Sequence, residues 1–85
     1  MPSRTILLFA LARARAGRST LSVDLAEPAT VSDLKAAMIQ ACPTLAPLMP
    51  TLRIAVDSEY AADDLPIPPA AELAAIPPVS GGSLS

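Results

Sequence analysis

Residues 20–25, Thr-Leu-Ser-Val-Asp-Leu, and residues 30–43, Thr-Val-Ser-Asp-Leu-Lys-Ala-Ala-Met-Ile-Gln-Ala-Cys-Pro, carry two different hydrophobic periods almost back to back. In the first, Leu21, Val23 and Leu25 alternate with Ser22 and Asp24, which is the period of a half-buried strand. In the second, Val31, Leu34, Met38 and Ala41/Cys42 recur at helical spacing. Glu27-Pro28-Ala29 breaks the sheet between them. Thr30 with Asp33 three residues on forms a capping box in its Asp variant, and Pro43 ends the helix because the residue before a proline avoids the α region. The pattern predicts a strand, a sharp turn and a helix over Thr30–Cys42, with Cys42 filling the core at the last turn.

Reading outward, Arg4–Ala10 is a near-continuous apolar run, suited to a central strand covered on both faces. Ala12–Arg18 reads as a polar, arginine-bearing connection with a turn at Gly17, short enough to make the first two strands an antiparallel hairpin. Downstream, Thr44–Pro50, with Pro43 before it, reads as an irregular crossover with room for one helical turn. Leu52, Ile54 and Val56 alternate with Arg53, Ala55 and Asp57, giving a third strand. Asp57-Ser58 is a turn, Glu59-Tyr60-Ala61 a short return strand, Asp63–Pro69 a loop, and Glu72–Ile76 the last strand. The order β-β-α-β-(β)-β is an α+β domain: a mixed sheet with one main helix across it. Val31, Leu34 and Met38 are expected to pack on Ile6, Leu8, Leu21, Val23, Ile54 and Val56.

The chain has 85 residues, enough for one domain with an aliphatic core, since Phe9 and Tyr60 are the only aromatics. A net charge of −2 argues against nucleic acid, and the run Ile6–Ala12 is far too short to span a bilayer. The single cysteine forbids an intrachain disulfide and favours a cytoplasmic home. With no histidine and no clustered carboxylates beyond Asp63-Asp64, which read as a solvated loop, no catalytic or metal site is expected. Arg4, Arg13, Arg15 and Arg18 crowd the N-terminal end, while Asp57, Glu59, Asp63, Asp64 and Glu72 follow with no basic residue after Arg53. That acidic half would suit a basic partner surface.

Beyond a domain of residues 1–76, the tail 77–85 opens with Pro77-Pro78 and continues Val79-Ser80-Gly81-Gly82. The prolines stiffen the backbone near polyproline II, and the glycines carry no Cβ. Extended, Pro77 to Gly82 reaches roughly 20 Å, a thin tip for a narrow channel.

These features together resemble the small subunit of molybdopterin synthase, a sulfur carrier of ubiquitin-like, β-grasp fold. The matching residues are the first strand ending Leu8-Phe9-Ala10, the helix start Thr30-Val31-x-x-Leu34, the strand Ile54-Ala55-Val56-Asp57 and the tail Pro77-Pro78-Val79-Ser80-Gly81-Gly82. The resemblance implies a non-catalytic carrier with no permanently bound cofactor. Its Gly82 carboxylate would be adenylated by an ATP-dependent, ubiquitin-activating-like enzyme and converted to a thiocarboxylate. The large synthase subunit would then receive Pro77, Pro78, Val79, Ser80 and Gly81 in its active site, where cyclic pyranopterin monophosphate gains two sulfurs. Docking is expected through the exposed sheet face, with apolar contacts near Phe9, Ala75 and Ile76 and an acidic rim at Glu59 and Asp63.

Two departures stand out. Ser83-Leu84-Ser85 follows the diglycine, so the Gly82 carboxylate lies in a peptide bond unless a C-terminal processing protease frees it. The family's Asp-Gly turn and its bulky aromatics before the proline pair are replaced by Pro69-Ala70-Ala71 and Ala75-Ile76. Two alternatives therefore stay open: a carrier for thiamine or cysteine synthesis, and an uncharged ubiquitin-like interaction module.

Overall fold

The computed structural model of the chain describes residues 3–77. It consists of β1 (Ser3–Leu8), α1 (Ala10–Ala16), β2 (Thr20–Asp24), α2 (Val31–Ala41), a 3-10 segment (Pro43–Thr51), β3 (Arg53–Val56), β4 (Glu59–Ala61) and β5 (Leu73–Ile76). The strands form one sheet in the order β2-β1-β5-β3-β4. β1 and β5 run parallel, and every other neighbouring pair is antiparallel. This is the ubiquitin-like β-grasp expected from the element order.

α2 begins where the sequence places it. Thr30 Oγ1 accepts from the Asp33 N–H at 3.3 Å, and Asp33 Oδ2 accepts from the Thr30 N–H at 3.0 Å. The remaining free N–H groups of the first turn go to the loop before β5. Val31 donates to the Leu65 carbonyl at 3.1 Å and Ser32 to the Asp63 carbonyl at 2.8 Å. The helix start is thus fully paired, and the proline-bearing loop 62–67 is pinned to it. Lys35 Nζ adds an ion pair to Asp63 Oδ1 at 2.8 Å.

Val31, Leu34 and Met38 are all buried, in one cluster with Ile6, Leu8, Leu21, Val23, Ile54, Val56 and Leu73. Leu34 is 0% exposed. Cys42 is only half-buried, with Sγ 3.2 Å from Thr44 Oγ1, so it borders the core rather than filling it.

Three expectations are corrected. Residues 10–16 are a helix, not a connection. Alanine and arginine are good helix formers, and Ala12 is buried while Ala16 packs against the core one turn later. Gly17 closes that helix in the left-handed region, at φ 71°, with its N–H donating to the Arg13 carbonyl at 2.9 Å. β1 is an interior strand, between β2 and β5, but it is covered on one face only: Arg4, Ile6 and Leu8 are buried, whereas Ser3 and Thr5 are exposed and Leu7 is half-buried. The crossover Pro43–Thr51 is a continuous 3-10 segment, seating Leu45 and Met49 in the core despite Pro47 and Pro50.

Arg4 is the buried charge of the fold. Its guanidinium donates to the Pro68 and Ala71 carbonyls at 3.2 and 2.9 Å and lies 3.8 Å from Glu27 Oε2. It ties the segment that leads into β5 to the first strand, and its charge is matched by these acceptors.

Candidate functional site

The helices cover one face of the sheet. On the other, the pleat brings Leu7 of β1, Ala74 and Ile76 of β5, Arg53 and Ala55 of β3 and Tyr60 of β4 together, because Leu7 pairs with Ala74, Arg53 with Ile76, and Ala55 with both Ala74 and Tyr60. Phe9, just beyond β1 and fixed by its N–H to the Ala75 carbonyl at 3.2 Å, closes the patch on the far side. Phe9 is 44% and Tyr60 61% exposed, a large apolar outlay for so small a domain. Between them lies a shallow depression of about 430 Å³ lined by Phe9, Ala55, Ser58, Tyr60, Glu72, Ala74 and Ile76. Arg53 stacks over the Tyr60 ring, 5.2 Å from its centroid, and holds one wall upright.

The rim on the β4 side is acidic. The β3–β4 hairpin turns at Asp57 and Ser58, with φ 52° and 70°, the left-handed pair that a two-residue hairpin of matching twist requires. Asp57 then fastens the turn to the base of β5: its N–H donates to the Glu72 carbonyl at 2.8 Å, and its Oδ1 accepts from the Glu72 N–H at 2.9 Å. Glu72 is exposed and lines the depression.

The structure places the expected docking residues unequally. Phe9 and Ile76 share the open face, but Glu59 does not: it pairs with the core-facing Val56, so its side chain leaves β4 on the opposite side from Tyr60. Ala75 does not belong with them: it is 0% exposed and points into the core, because neighbours on a strand face opposite ways. Ala74 holds the position that Ala75 was expected to hold. Asp63 is exposed, but it is engaged with Lys35 and sits at the start of α2 rather than on the depression. Tyr60 is a residue that the sequence reading missed; its signal was an unpaired aromatic on a short edge strand.

Pro77 ends β5 as a buried residue. Pro78, Val79, Ser80, Gly81 and Gly82, and most of the tail 77–85, lie outside the described residues. Among the described residues, no group of three His, Cys, Asp or Glu side chains is placed to hold a metal ion, and no helix is long and apolar enough to cross a membrane.

Residues 6–82 match the ThiS family. The chain belongs to that family. Among solved structures it is similar to small archaeal modifier protein 1 (SAMP1) of Haloferax volcanii, with 33% identity over 94% of this chain and 99% of that one, at a TM-score of 0.82. A second structure of the H. volcanii modifier aligns at 30% identity over 93% of this chain and 100% of the other, at a TM-score of 0.81. A Pyrococcus furiosus protein described as molybdopterin converting factor, subunit 1, aligns at 22% identity over 93% and 100%, at a TM-score of 0.78, a likeness of fold. The family match runs through the proline pair and ends on Gly82, the second glycine of the tail.

Proposed function

We propose that this chain is a sulfur carrier that docks through its open sheet face and carries sulfur on the carboxylate of Gly82, as the small subunit of a molybdopterin synthase. The observation that carries the reading is the division of labour within the chain: an apolar, acid-rimmed face with nothing covering it among the described residues, and a family match that stops at the diglycine.

The chemistry asks little of side chains. A carboxylate is a poor electrophile, so a Gly82 oxygen attacks the α-phosphate of ATP in the adenylating partner, and pyrophosphate leaves. A sulfur donor then displaces AMP, leaving the thiocarboxylate. The partner must enclose the tail to keep water from the acyl-adenylate, which is why bare glycine suits both terminal positions. A processing protease must first remove Ser83-Leu84-Ser85. All of this belongs in the cytoplasm, where ATP and reduced sulfur coexist. The large synthase subunit is the receiving partner, and it performs the transferase step.

The test is reconstitution. A chain ending at Gly82 and charged with sulfur, mixed with a synthase large subunit and cyclic pyranopterin monophosphate, should yield molybdopterin. Sulfur passed only to a thiamine or cysteine pathway acceptor would move the reading to those carriers. A second reading, a protein modifier, is favoured by the identity to SAMP1, which exceeds that to the converting factor. In that case the activated Gly82 would acylate amines of other proteins, and conjugates would appear on denaturing gels.

A further inference from the structure

We propose that the free edge of β2 is a self-association surface, through which two copies join antiparallel into one continuous sheet. The two sheet edges are not alike. In the β1–β2 ladder, Ile6 faces Leu21 and Arg4 faces Val23, and the ladder continues with the Leu8 N–H donating to the Ser19 carbonyl at 2.8 Å. Backbone groups at the odd positions of β2 therefore turn toward β1, and those of Thr20, Ser22 and Asp24 turn outward. None of these outward groups has a backbone partner among the described residues. The opposite edge offers far less: β4 spans Glu59–Ala61, and only Tyr60 turns its backbone away from β3.

β2 also lacks the usual protections of an edge, having no proline, lysine or bulge. Beside it, α2 presents Ala37 and Ala41, so a shallow groove lined also by Ser22, Val23, Asp24 and Gln40 leaves room for an added strand.

Charge selects the occupant. Arg18 precedes the strand, while Asp24 ends it and Glu27 follows. Antiparallel pairing of two copies about Ser22 sets Thr20 opposite Asp24 at both ends and brings each Arg18 to the other's acidic end. Parallel pairing would stack arginine on arginine and aspartate on aspartate. The antiparallel register matches outward residues only, and it supplies about six new ladder hydrogen bonds. The depression near Phe9 and Ile76 lies beyond β1, toward the other edge, so a dimer keeps both docking faces open.

Sedimentation of the full chain across concentration should show a monomer–dimer equilibrium. Hydrogen exchange at Thr20, Ser22 and Asp24 should slow as concentration rises. Ser22→Pro removes an outward N–H without touching the β1 ladder, so it should abolish the dimer and leave the fold intact. If that variant fails to fold, the charge pair decides. R18D or D24R alone should weaken the dimer by about two- to tenfold, and R18D/D24R together should restore it. A chain that stays monomeric with unprotected β2 amides overturns the proposal. So does a dimer indifferent to all these variants, and so does protection of those amides only when another protein is added. None of these outcomes depends on whether Gly82 is charged.

Discussion

Ala74 and Ala75 are the same residue, adjacent on the same central strand, yet they live in opposite environments. Ala75 is sealed beneath the helices with Ile6, Leu8 and Leu34, while Ala74 floors the depression between Phe9 and Tyr60. The pleat of β5 separates a face that specifies the fold from a face left for a partner. The lesson is that the two tasks can be disturbed independently, one residue apart.

The sharpest way to break the covered face is Leu34→Ala. With no exposed surface and neighbours from both sheet and helix, the site cannot collapse around the loss. The cost should be about 2–5 kcal/mol, read as a large fall in the thermal or urea midpoint. Partner affinity of the molecules that remain folded should be unchanged. Arg4→Met should follow at about 1.5–3 kcal/mol, since it leaves the Pro68 and Ala71 carbonyls without their charged donor.

The alanine pair sharpens the contrast. Ala75→Leu should overpack the core and cost about 1–3 kcal/mol of stability. Ala74→Leu should leave the melting midpoint unmoved and alter only binding. On the same open face, Ile76→Arg should weaken partner binding by about 2 kcal/mol, roughly thirtyfold in calorimetry, without unfolding the chain. If Ile76→Arg melted the protein while binding survived, the faces would have been assigned the wrong way round. The smallest expected effect is Glu72→Lys at the rim of the depression: slower association with a basic partner at low salt, little change in dissociation, and no effect at high salt. Asp63 is the poorer probe, since reversing it also breaks the ion pair to Lys35.

Much of the covered face was legible in the sequence, because strand and helix periods are written there with clear polar contrast. Leu21, Val23, Val31, Leu34 and Met38 needed no more than spacing and a capping box. The open face was harder to read. In Glu72-Leu73-Ala74-Ala75-Ile76 the large apolar residues sit three apart, on opposite faces, with two alanines between them, so the period of two has no contrast. Only the pairing with β1 and β3 settles which alanine faces outward. α1 was missed because its anchoring rests on two alanines one turn apart among exposed arginines. The role of Arg4 was hidden for another reason: its acceptors lie 64 and 67 positions away. Tyr60 is a local residue whose meaning depends on a distant one, Arg53 on the neighbouring strand.

The carrier reading stands on the charging of the tail. A chain ending at Gly82, given an adenylating enzyme of proven activity, ATP and a sulfur donor, should exchange pyrophosphate. Its intact mass should rise by the difference between sulfur and oxygen. The full-length chain should do neither, and Gly81→Ala should lose most of the activity with no change in melting, because one methyl group obstructs a channel fitted to bare backbone. If the chain ending at Gly82 forms neither adenylate nor thiocarboxylate under those conditions, the carrier account is contradicted, and the molecule is a binding module.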